Sequence, residues 1–153
     1  MQFLECRIPP VLVLLIAGLG AFFTKQVYSD YIWIGEWQRG VSVLLLIAGI
    51  LVAVAGVISF KRANTTVNPV AIDKASALVT TGIFQYTRNP MYLGMLLVLT
   101  AYCIKAGVLM ALIWPLLFVV YMNRFQIVPE EKALTGQFGQ VYIDYTLRVR
   151  RWC

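Results

Sequence analysis

Residues 80–95 read TTGIFQYTRNPMYLGM. A polar step, Thr87-Arg88-Asn89-Pro90, runs straight into an apolar stretch with Tyr92 two residues inside it. Asn is a favoured N-cap and Pro is favoured in the first helical turn, so the spacing predicts a helix that starts at Pro90. The unpaired backbone N–H groups and the dipole at such a start favour an anion, either a phosphate or a carboxylate. Arg88 adds a fixed positive charge, and Tyr92 offers a hydroxyl one turn in. The same residues also have a purely structural account, because every membrane helix needs an end and Arg with Tyr anchors the interface.

Composition sets the class around that step. Of the 153 residues, 60% are hydrophobic and 13% are charged, too few charges to cover a soluble domain of this length. The chain therefore reads as a single-domain integral membrane protein. Its net charge of +6 lies between and after apolar runs, not along one solvated face, which suits membrane topology and argues against a nucleic-acid partner. Histidine is absent, and Cys6, Cys103 and Cys153 lack metal-ligand spacing. No metal site, Ser/His or Cys/His catalytic pair, or disulfide framework is expected. Arg7 followed by an apolar run has the outline of a signal peptide. Against that, Pro9-Pro10 opens the run and no small-x-small cleavage site leads into a soluble domain.

The expected fold is all-α and polytopic. Four apolar spans occupy residues 9–23 (reaching to about 28), 41–60, 91–104 and 108–128. The second and fourth meet the roughly 20 residues that a bilayer requires. The third has 14 residues, about 21 Å of helix. Only Lys105-Ala106-Gly107 separates it from the fourth, so the two read as a tight hairpin. Lys61, Arg62, Lys74 and Arg88 lie in the middle segment, and Lys132, Arg148, Arg150 and Arg151 follow the last span. This bias puts both termini on the cytoplasmic side, as in the cytoplasmic membrane of a bacterium or archaeon. Tyr28, Tyr31, Trp33 and Trp37 would form an aromatic belt opposite. Small residues at i,i+4, Ala17 with Ala21 and Gly49 with Ala53, give the first two helices a packing role. No carboxylate lies inside a span, which counts against a proton-coupled transporter.

A second polar segment follows the last span: Pro129-Glu130-Glu131, then Gln137-Phe138-Gly139 and Tyr142-Ile143-Asp144-Tyr145. Pro129 is expected to restart or kink a helix. Leu134, Phe138, Val141, Tyr142 and Tyr145 trace the stripe of a C-terminal amphipathic helix lying along the membrane interface. Two glutamates in a first helical turn are favourable without any function. Alternatively, one of them faces the entrance of the third helix and holds a cationic group.

Taken together, Leu78-Val79-Thr80-Thr81-Gly82, Arg88-Asn89-Pro90-Met91-Tyr92-Leu93-Gly94, Glu130-Glu131 and Phe138-Gly139 with the paired tyrosines resemble the isoprenylcysteine carboxyl methyltransferase and phospholipid methyltransferase family of membrane enzymes. The resemblance covers residues 64–150, with the motifs in matching order and spacing. It implies a methyltransferase that uses S-adenosylmethionine without a Rossmann domain, in keeping with the lack of a G-x-G-x-x-G motif. It divides the single domain into two structural helices (1–60) and a cofactor-binding and catalytic part (61–153). Cofactor contacts carry over to Ser76, Ala77, Leu78 and Val79, to Phe84, to Arg88, Asn89, Pro90, Met91 and Tyr92, and to Glu130 with Glu131 as its understudy. Glu130 and Arg124 are the catalytic assignments. An ungapped match, however, places the family's substrate-contacting arginine on Gln126. Asn89 stands where the isoprenylcysteine enzymes have histidine, and Phe84 where tyrosine is frequent, so the acceptor stays open between a prenylated-cysteine carboxylate, a phospholipid amine and a small thiol. The partners implied are the lipid bilayer and a lipidic or small-molecule acceptor. The alternatives weighed are a nicotinamide-dependent membrane reductase and a non-enzymatic small membrane protein or transporter.

Overall fold

The computed structural model describes residues 8–28, 35, 37–63 and 78–153; among them every regular element is a helix. Helix α1 spans Pro10–Val27 and α2 spans Trp37–Arg62. A 3-10 turn at Gly82–Gln85 precedes α3, Pro90–Ala106, and a second at Leu109–Leu112 precedes α4, Ile113–Met122. A π-helical stretch, Asn123–Ile127, joins α4 to α5, Val128–Phe138, and α6 covers Gln140–Arg148. Three stretches are long and apolar enough to cross a membrane: Pro10–Val27, Trp37–Arg62 and Leu109–Phe138. Helix α3 is apolar but has 17 residues, about 26 Å against a hydrocarbon core of ~30 Å. The large apolar side chains that α1 and α2 expose, such as Leu15, Phe23, Leu44 and Leu51, are suited to lipid.

Helices α2 and α3 form the most extensive contact in the bundle and run antiparallel. Gln38 at the start of α2 donates its side-chain amide to the Ile104 carbonyl near the end of α3. Gly49 meets Gly94 midway, and Gly56 meets Pro90 at the other end. A Cβ added to Gly94 would lie 2.6 Å from the Gly49 carbonyl oxygen and 2.7 Å from the Ala53 Cβ, so these helices touch along their backbones. Close approach of this kind holds helices together where the solvent is itself apolar. The small residues expected to pack do so: Gly49 and Ala53 against α3, and Ala17 and Ala21 in a core with Leu99, Cys103 and Phe118. Helix α1 is tied to the helix that follows α3 at two levels. The Trp114 indole N–H donates to Thr24 Oγ1 at 3.0 Å, and Gln126 Nε2 donates to the Ile8 carbonyl at 2.6 Å.

Two sequence expectations are refined here. Pro129, expected to restart or kink a helix, lies in the first turn of α5 in continuous helical structure, and the distortion takes the form of the π stretch just upstream. Proline has no N–H for the carbonyl four residues back and clashes with it, and the wider turn before it absorbs that conflict. The amphipathic stripe is also cut in two. Gly139, with φ 56°, ends α5 and starts α6. Leu134, Phe138, Tyr142 and Tyr145 still cluster, with Leu78 and Val149 added, but Val141 turns outward and is 64% exposed.

Candidate functional site

The start of α3 is held from three sides. Asn89 occupies the N-cap position, and its carbonyl accepts the N–H of Leu93 at 2.9 Å. Its side chain makes no capping bond; Nδ2 donates instead to the Arg151 carbonyl at 2.9 Å. Thr87, buried at 2% exposure, stands in locally: its Oγ1 accepts the Asn89 N–H at 3.2 Å and reaches the Arg151 carbonyl at 3.4 Å. The Arg88 N–H donates to the Arg150 carbonyl at 3.0 Å. Segment 149–153 thus presents bare carbonyls that compete for the donors of the entrance, which is why the asparagine caps nothing.

Tyr92, at 3% exposure, donates its hydroxyl to Glu130 Oε1 at 2.5 Å. This contact joins the first turn of α3 to the first turn of α5. Glu131 faces elsewhere, since adjacent residues on a helix point about 100° apart. Its oxygens accept from Arg151 Nε at 3.0 Å and Nη2 at 2.6 Å, a two-pronged grip, and Arg88 Nη1 lies 3.1 Å from Oε1. The two glutamates are therefore not interchangeable. In this structure Glu131 is shared by two guanidinium groups, whereas Glu130 meets the Tyr92 phenol.

Arg88 is nearly buried, with its side chain 13% exposed, and it also hydrogen-bonds the Tyr142 side chain. Its Nε is buried without a hydrogen-bond acceptor among the described residues. Burial, reinforced by the Glu131 charge, pushes the Tyr142 hydroxyl up to about 12. Burial likewise raises Tyr145, whose O–H donates to the Phe84 carbonyl at 2.7 Å. The paired tyrosines of α6 thus fasten the loop before α3.

Helix α2 frames the same loop. The Phe84 ring is buried edge-on against Phe60, 5.0 Å between centroids. Gly56 lets Pro90 and Met91 close in to 3.0 and 3.2 Å of where its Cβ would be. The sequence gives α2 a scaffolding role only, yet its last turns position three of the candidate residues. Val79 is buried, and Leu78 packs with the α6 tyrosines. Ser76 and Ala77 lie outside the described residues.

Arg124 is exposed, with its guanidinium carbon 5.7 Å from the Phe125 ring centre. Gln126, where the ungapped match falls, is 1% exposed. Thr87, Tyr142, Tyr145 and Arg151 escape the sequence reading. The tyrosines show as an interface stripe and as part of the motif set but without a role in the site, and nothing local separates Arg151 from Arg148 and Arg150.

The molecule is thus a helical membrane protein whose one end gathers a phenol, two carboxylates and two guanidinium groups from four separate segments. Residues 37–141, from the start of α2 into α6, match the phospholipid methyltransferase family. The chain belongs to that family of membrane methyltransferases. An uncharacterised protein of Haemophilus influenzae is 40% identical to it over 62 residues, covering 40% of this chain and 98% of that protein.

Proposed function

We propose that the protein is an S-adenosylmethionine-dependent methyltransferase acting at the membrane surface on a lipidic or small acceptor, either a phospholipid amine or an isoprenylcysteine-type carboxylate. In this reading the whole chain is one domain that crosses the bilayer four times, with α3 and α4 as a hairpin and both termini cytoplasmic. In support, Ile8, the start of α3, Glu130 and segment 149–153 all lie at one end of the bundle. A short α3 lets its polar entrance sit at headgroup depth, where a lipid headgroup and a water-soluble cofactor can meet.

The observation that carries the proposal is the Tyr92–Glu130 bond, which brings together residues 38 positions apart. S-adenosylmethionine has an amino-acid end of both signs, and the residues present fit it. The buried Arg88 Nε and the backbone N–H groups of the first turn of α3 suit its carboxylate. Glu130, oriented by Tyr92, suits its ammonium. When bound, the cofactor supplies a methyl group already activated on a sulfonium, ready for in-line displacement. The protein's part is positioning and exclusion of water. A carboxylate or thiolate acceptor needs no base. An amine must lose a proton, and without histidine the Glu130–Tyr92 pair or water takes it.

The test is incubation of the detergent-solubilised protein with labelled S-adenosylmethionine and total membrane lipid extract. Label is expected in a lipid-soluble product, and the protein should bind S-adenosylmethionine but not NADPH. Absence of S-adenosylmethionine binding would overturn the proposal.

A further inference from the structure

Glu131 and Arg88 alone would make a neutral pair. Arg151 changes that balance. Its fork takes both Glu131 oxygens, at 3.0 and 2.6 Å, so the three side chains carry one net positive charge beside the start of α3. Arg88 Nη1 lies 3.1 Å from Glu131 Oε1. The rest of that guanidinium faces Tyr142 and the buried side on which its Nε has no acceptor among the described residues. The backbone of the same segment fixes the entrance. The Arg150 carbonyl accepts the Arg88 N–H, the Arg151 carbonyl accepts from Asn89 Nδ2, and the Trp152 indole N–H donates to Asn123 Oδ1 at 3.1 Å.

We infer that Arg151 is a positioning residue for the anionic end of the cofactor: by gripping both Glu131 oxygens it offsets that charge and leaves the remaining donors of Arg88 for an anion at the mouth of α3. This rests on the cofactor reading above. It assigns Arg151 no contact with the cofactor itself; it acts through Glu131 and Arg88.

Two ligands separate positioning from plain structural support. S-adenosylhomocysteine carries the amino-acid end, whereas 5′-methylthioadenosine has the same nucleoside without it. Loss of one charge-assisted arrangement in a site of this kind corresponds to about tenfold or more in affinity. Arg151→Ala should therefore weaken S-adenosylhomocysteine binding by about tenfold and leave 5′-methylthioadenosine binding unchanged. Arg151→Lys, which keeps the charge but not the fork, should fall between Arg151→Ala and the unaltered protein. Equal weakening of both ligands, or of neither, overturns the inference while leaving the methyltransferase reading intact. If the unaltered protein binds neither ligand, the cofactor reading fails and this inference falls with it. A drop in unfolding temperature with no change in the ratio of the two affinities would also count against it.

Discussion

In the middle of the bundle, α2 and α3 touch backbone to backbone; at its polar end, side chains reach across as many as 118 positions of chain to their partners. The first arrangement uses glycine and alanine and depends on the absence of side-chain atoms. The second uses phenol, carboxylate, guanidinium and carbonyl groups and depends on direction. Lipid tails give apolar helices no reason to prefer one another, so the middle is held by dispersion at very short range. At the polar end the low local dielectric strengthens each hydrogen bond, and every unmet group there is costly. The middle should therefore tolerate loss of volume and fail on its addition, whereas the polar end should fail when a single atom is exchanged.

The largest effect is expected where volume enters the α2–α3 contact. Gly94→Val should destabilise the protein by about 3 kcal/mol, read from its thermal midpoint in detergent, because a backbone oxygen blocks the new Cβ. At the polar end, Glu130→Gln and Tyr92→Phe should each lower S-adenosylmethionine affinity by about tenfold to a hundredfold with the thermal midpoint nearly unmoved. Unchanged titration curves for both would sever the Tyr92–Glu130 pair from cofactor binding. Tyr145→Phe leaves the Phe84 carbonyl without its donor and should cost about 1–2 kcal/mol, a stability effect that reaches the cofactor only through the loop.

Alkali offers a gentler probe of the same helix. Because the folded-state pKa of Tyr142 is raised to about 12 above an ordinary ~10, its neutral form contributes stability that is intact below pH ~10. That contribution declines as pH climbs towards 12, and tyrosinate absorbance should show its late titration. Smallest of all, Val141→Ala, at an outward-facing position, should shift stability by no more than about 0.5 kcal/mol and leave turnover alone. A large loss of either would blur the contrast between the two regions.

The start of α3 was legible from Asn89-Pro90 alone, and so was the packing role of Gly49 with Ala53, because caps and small-residue spacing act within one or two turns. The helix ends were legible to within a few residues. The pairing of Tyr92 with the segment after the last span came from motif order, which no local propensity supplies. Three features were hidden. Nothing in Asn123–Ile127 announces a widened turn. Nothing in Glu130-Glu131 says which carboxylate meets a phenol and which meets two guanidinium groups. Nothing in Arg148 to Arg151 says that one arginine folds back. Each depends on what lies opposite in space, and in a chain this apolar the few polar partners are chosen by three-dimensional placement.

The widened turn at Asn123–Ile127 sets the phase between two halves of one long rod. In an ordinary α-helix the lipid-facing side of Leu116 and Val120 and the inward side of Glu130 would be locked to a common 3.6-residue count. The wider turn resets that count, so the upper half can be tuned to lipid while the lower half keeps its own bearing. Deleting a single residue there should rotate α5 by about 100° and swing Glu130 off Tyr92, while the apolar face above stays in register with α1 and α3. The five residues act as an angular offset between what the membrane requires of this helix and what its polar end requires.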